Sequence, residues 1–151
     1  MSLPNPFDPK TVLLARHAQH VVLIHFPIAL FISGVALGWL GQWKSNRSLL
    51  DAGYYNLVFA AIFVVPTIAT GLLAWQIQLE GQPLKGPLLL HLVFGWLSAG
   101  LIWLVWWLRR SLRKHAASPP ALLIALEVAA MAIVALTGHL GGFVSGVNAP
   151  N

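Results

Sequence analysis

The sequence predicts an all-α integral membrane protein, a four-helix up-down bundle with an N-terminal interfacial lead-in to helix 1. Three observations predict it. Of the 151 residues, 58% are apolar and only 9% are charged, where a soluble domain carries about 25% charged residues. Four apolar stretches are each long enough to cross a bilayer, which takes about 20 residues. The polar segments between them are short, the longest being "RRSLRKHAASPP". Residues 1–151 therefore read as a single transmembrane domain, without internal repeats or low-complexity segments.

The elements follow in order. Asp8-Pro9 reads as a cap followed by proline at the first helical position. The first helix is thus expected to begin in the interface, ahead of its membrane span Val21–Trp43. That span is too long, and too far from a preceding basic region, for a cleaved signal peptide. The second span, Tyr54–Trp75, contains Pro66. A kink is expected there, with Thr67 and Thr70 taking up freed backbone groups. Gly81, Gln82 and Pro83 mark the turn into the third span, Leu88–Leu108. Ser118-Pro119 repeats the cap signal before the fourth span, Ala121–Leu140. Gly141-Gly142 marks its expected end.

Basic residues orient the bundle. The loops after helices 1 and 3 carry Lys44, Arg47, Arg109, Arg110, Arg113 and Lys114, against Lys10, Arg16 and Lys85 on the other side. The positive-inside rule puts the first set in the cytoplasm. Both termini then face outward, toward the periplasm if the membrane is a bacterial inner membrane. This bias accounts for the net charge of +5 and argues against nucleic-acid binding. There is no cysteine, which excludes disulfides, thiolate-held iron–sulfur clusters and covalent c-type haem.

Six histidines are present. In an up-down bundle His20, His25, His91 and His139 come from three helices to one depth at one end. Polar groups inside membrane helices are costly and point to function. The set reads as a cofactor site, with the four as axial haem-iron ligands. A lone histidine that hydrogen-bonds a neighbouring helix is the bland alternative for each. His17, beside Arg16, and His115, in the basic run, read as solvated. His20 and His25 are separated by about 7.5 Å along a helix and about 140° around it. Either Pro27 distorts the helix, or the two serve different centres. Four imidazoles match two bis-histidine haems. If a haem fills the space between the diagonal helices 1 and 3, His25 and His91 are the expected pair, with His20 and His139 holding a second. Gly138, Gly141 and Gly142 around His139, and Gly95 after His91, offer clearance to a flat ligand. Gly34, Gly38 and Gly41 read as helix-packing residues.

Glu127 is the other costly group. A charged carboxylate inside helix 4 costs several kcal/mol, so it is expected to be protonated or paired. One reading makes it a proton-handling group or a partner for a quinone. The other makes it a bracing acid bonded across the bundle, with Thr67 or Thr70 in reach.

The motifs "HVVLIHFPIAL", "HLVFGWL" and "TGHLGG", in that order, resemble the bacterial membrane family known as domain of unknown function 2231. Relatives often carry proline directly after the first histidine, where this chain has Val21. The resemblance implies a four-helix membrane protein associated with Rieske or cytochrome partners, and so redox work. Two functions are carried forward. The first is a b-type cytochrome subunit with one or two haem b groups near the outer face, working with other membrane or periplasmic redox subunits and with a quinone as a further partner. The second is a non-redox structural or assembly subunit whose histidines bind a transition metal or brace the bundle. An independent enzyme is disfavoured, because no nucleophile with a base and no carboxylate pair is present.

Overall fold

The computed structural model describes residues 16–77, 79–114 and 119–146. The Asp8-Pro9 lead-in, the His17 side chain, His115 and Ser118 lie outside the described residues. Four helices make up the rest: α1 Arg16–Trp43, α2 Arg47–Ile77, α3 Gly86–Lys114 and α4 Ala121–Val144. All four are long and apolar enough to cross a membrane, and no strand occurs among the described residues. Their outer faces carry exposed large apolar side chains such as Phe59, Trp103, Trp107 and Leu122. Such a surface suits acyl chains and not water.

The helices pack in a ring. α1 lies on α2, α2 on α3, α3 on α4, and α4 closes back on α1. This leaves α1 facing α3, and α2 facing α4, across the diagonals. Each helix buries one stripe at helical spacing. On α1 it holds Pro27, Phe31, Val35 and Gly38; on α3 Ser98, Ile102 and Val105; on α4 Leu123, Glu127, Ala130 and Val134. The central core joins Phe31, Leu57, Ala60, Ile102, Val105 and Ala130.

Lipid tails are as apolar as the core, so association depends on close packing and hydrogen bonds. Small residues supply the closeness. A Cβ at Gly53 would lie 2.7 Å from the Gly38 nitrogen, and one at Gly34 3.0 Å from the Gly53 carbonyl. The packing role read for the α1 glycines is what the structure shows for Gly34 and Gly41, which meet α2 at 3.0 and 2.8 Å. Pro27 sits inside an unbroken α1. The Leu23 carbonyl that its ring leaves without an intrahelical donor accepts from Thr67 Oγ1 at 3.4 Å. The same hydroxyl lies 2.8 Å from the Phe63 carbonyl of its own helix, so Thr67 shares its one hydrogen between the two carbonyls.

Helix ends depart from the apolar windows. α2 begins at Arg47, because the Asn46 side chain accepts from the Leu49 amide at 3.2 Å and caps the extra turns. α3 runs from Gly86 to Lys114, beyond Leu88–Leu108 at both ends. α4 starts at Ala121 with Pro120 as its N-cap. It continues through Gly141 and Gly142 to Val144. The left-handed residue that follows is Gly146, at φ 79°. The turn marked by Gly81 is present, with Glu80 and Gly81 at φ 49° and 64°.

Candidate functional site

A cavity of about 330 Å³ opens between the α1–α2 and α3–α4 hairpins at the histidine end. All four helices line it, largely with apolar side chains such as Ile28, Ile68 and Leu92. It falls in the usual range for small-molecule sites, roughly 300–1,000 Å³. Its polar groups are few, and three of them are the imidazoles of His20, His25 and His91.

His20 and His91 face each other across the α1/α3 diagonal. Their ring centres are 6.3 Å apart and their planes cross at 76°. Both rings are half-buried. His91 Nδ1 lies 3.1 Å from the Thr137 carbonyl, so it carries the proton and donates. His20 Nδ1 lies 3.2 Å from Thr70 Oγ1. The Thr70 hydroxyl hydrogen is directed at the Pro66 and Thr67 carbonyls, 2.9 and 3.0 Å away. Its oxygen therefore accepts from His20 Nδ1–H. With Nδ1 as the donor, Nε2 is the unprotonated nitrogen of a neutral imidazole. An outer hydrogen bond from Nδ1 is the arrangement that fixes tautomer and orientation in metal-ligating histidines.

Glycines make room for both rings. A Cβ at Gly71 would lie 2.9 Å from His20 Cε1, and one at Gly141 3.1 Å from His91 Cε1. Gly141 therefore serves His91, with α4 continuing past it. Thr137 is tied in place by Ser98, whose hydroxyl is 2.7 Å from Thr137 Oγ1. From the sequence, Thr70 reads as a partner for backbone groups near Pro66 or for Glu127, and Gly71, Thr137 and Ser98 carry no signal of a supporting role.

The other two histidines are more exposed. His25 is exposed, and its Nδ1 donates to the Val21 carbonyl of its own helix at 2.7 Å. It lines the cavity together with His20 and His91. His139 is exposed and packs edge-on against Phe143, with ring centres 5.1 Å apart. The histidine whose ring the structure brings to His91 is His20, where the sequence reading expected His25. The physical reason is the unbroken helix at Pro27, which keeps His20 on the buried stripe and His25 off it. Among the described residues no three histidine, aspartate or glutamate side chains are grouped to hold a metal ion.

Glu127 lies at the opposite end and is fully buried. Arg109 Nε donates to Oε1 at 2.6 Å and Nη2 to Oε2 at 2.8 Å, and Trp39 Nε1 donates to Oε2 at 2.7 Å. The carboxyl is paired, and its partners are Arg109 and Trp39. Thr67 and Thr70 are occupied at the histidine end. Arg109, counted above with the cytoplasmic basic residues, turns back into the bundle, where its side chain is 11% exposed. The triad joins α1, α3 and α4.

Four membrane-spanning helices, a histidine-flanked cavity at one end and a buried ion pair at the other define a multi-pass membrane protein with polar groups inside its bundle. The chain belongs to the family described as "Predicted membrane protein (DUF2231)", whose profile matches residues 16–147. Both the cavity and the ion pair lie within that match. Neither the curated proteins nor the solved structures contain a match to the chain.

Proposed function

We propose that this chain is a b-type cytochrome subunit, in which His20 and His91 would hold one haem b. The observation that carries the reading is their separation. With a metal–nitrogen bond of about 2.1 Å and a nitrogen about 1.1 Å from its ring centre, two imidazoles facing across one ion have centres roughly 6.4 Å apart. The observed 6.3 Å fits. Two protein donors also suit a macrocycle that brings four of its own, whereas a metal bound by protein alone needs more ligands than this pair.

A haem held there supplies reversible one-electron transfer. The chain's own contribution is positional. Thr70 and the Thr137 carbonyl hold both imidazoles at Nδ1. Gly71 and Gly141 give the rings room. The apolar walls keep the site dry, which favours a low-dielectric redox centre. The positive-inside bias favours both termini and the cavity on the outer side, which for a bacterial inner membrane is the periplasm. With no soluble domain among its described residues, the chain works with other membrane or periplasmic redox subunits, and a membrane quinone is the natural electron partner.

A second reading rests on the same hydrogen bonds. His20 ties α1 to α2 and His91 ties α3 to α4, as bracing histidines of a structural subunit do. A reduced-minus-oxidised visible spectrum of the purified full chain separates the two. A sharp b-type α band supports the cytochrome. Its absence after expression with ample haem leaves the bracing role.

A further inference from the structure

The arginine end of the bundle holds a second cavity, of about 270 Å³, between α1, α2 and α3. Gly34, Gly38 and Gly53 line it together with Arg47, Arg109 and Arg113. These cations differ from their neighbours. Lys44 and Arg110 lie over the Trp43 and Trp106 rings, at 4.5 and 5.6 Å from the ring centres, and do not line the cavity. General positive-inside topology accounts for such residues. It does not account for three arginines converging from two helices on one cavity.

The carboxylates present do not use up these arginines. Arg113 Nη1 donates to Asp51 Oδ1 at 2.5 Å, and Arg47 Nε lies 3.5 Å from the same oxygen. Arg109 spends two N–H groups on Glu127. Each guanidinium carries about five N–H donors, so most remain for another acceptor. Three cations against Asp51 and Glu127 leave the cavity positive. Arg113 is further held over the Tyr54 ring, 4.6 Å from its centre.

Position identifies the ligand. Gln42 is in the last turn of α1, Arg47 opens α2, and Arg109 and Arg113 lie in the last turns of α3. This is where the apolar spans end, at the level of lipid headgroups. Basic pockets between membrane helices recognise anionic headgroups. We propose that this cavity binds the phosphate of an anionic phospholipid, with its acyl chains along the outer faces of the bundle.

The test is native mass spectrometry of the full chain in detergent, titrated with phosphatidylglycerol or phosphatidylcholine of identical acyl chains. Preference for phosphatidylglycerol is expected. Arg47→Gln should weaken that binding by about fivefold, the effect of one basic charge near a membrane surface. Its side chain is 74% exposed, so folding is not at stake. Arg113→Lys keeps a charge beside Asp51 and should also weaken binding, through loss of the planar fork. Lys44→Gln and Arg110→Gln should leave it unchanged. Equal affinity for the two lipids would overturn the proposal. So would an equal fall in the Lys44 and Arg110 variants, which would mark diffuse surface charge. Loss of the phosphatidylglycerol preference in millimolar inorganic phosphate would assign the cavity to a free anion instead.

Discussion

Gly71→Ala tests the proposed haem ligation by His20 without replacing His20. The new Cβ would sit 2.9 Å from His20 Cε1 and 3.3 Å from both ring nitrogens. Ordinary contact begins at 3.4 Å, so the ring must retreat by about half an ångström. It cannot do so freely, because Thr70, which holds Nδ1 at 3.2 Å, is the adjacent residue on the same helix. Moving off Gly71 stretches that bond as well. Metal–ligand distances tolerate roughly 0.2 Å, and loss of an orienting outer contact typically lowers metal affinity by about 10–100-fold. That corresponds to about 1.4–2.8 kcal/mol. The assay is haem per protein by pyridine haemochrome at limiting haem, with the visible spectrum recorded alongside. Gly100→Ala is the control, since its Cβ meets nothing within 4 Å and the site is exposed. Gly71→Ala should lose most of its haem while Gly100→Ala keeps all of it. Full haem content with an unshifted spectrum in Gly71→Ala would refute the reasoning.

Thr70→Val removes the hydroxyl that accepts from His20 and should weaken haem retention by about tenfold. Thr137→Val leaves the backbone carbonyl that accepts from His91 in place and should retain haem, as the same assay reads. At the other end, Glu127→Ala should destabilise the bundle by about 3–5 kcal/mol, because Arg109 is left buried without a counter-charge. Glu127→Met combined with Arg109→Met should be milder than either alone in a detergent unfolding titration, and an additive loss would contradict the pairing. For topology, the chain has no cysteine, so single cysteines at Ser45 and Ser145 report cleanly. An impermeant maleimide on intact cells should label position 145 and not position 45.

The fold was legible because hydrophobic windows are long and loops short. The ends were less so, because polar residues extend the helices. Asn46 caps α2, and Asp51 is held by Arg113 of α3; neither contact leaves a trace in hydropathy. At the site, the level of the histidines was legible and the rotation of α1 was overlooked. Its glycines hold the signal. Stepping back from Gly41, Gly38 and Gly34 by threes and fours reaches Phe31, Pro27, Ile24 and then His20. His25 falls on the stripe of Val22, Ala29 and Ile32, which is exposed. The same stepping on α3, from His91 through Ser98, Ile102 and Val105, reaches Arg109. Arg109 was grouped with the loop cations because its charge, and not its phase, was read. Gly71 and Thr70 lie opposite His20 only through the α1–α2 register, which no single helix specifies.

The central claim is that His20 and His91 form the ligand pair, and alanine substitution of all four histidines tests it most directly. Haem per protein is measured for His20→Ala, His25→Ala, His91→Ala and His139→Ala in the purified full chain. Loss of the bound haem, or of its six-coordinate low-spin spectrum, is predicted for His20→Ala and His91→Ala alone. His25→Ala and His139→Ala should match the unsubstituted protein. Unchanged haem and spectrum in either the His20 or the His91 variant would contradict the assignment, and a haem-free unsubstituted chain would contradict the cytochrome itself.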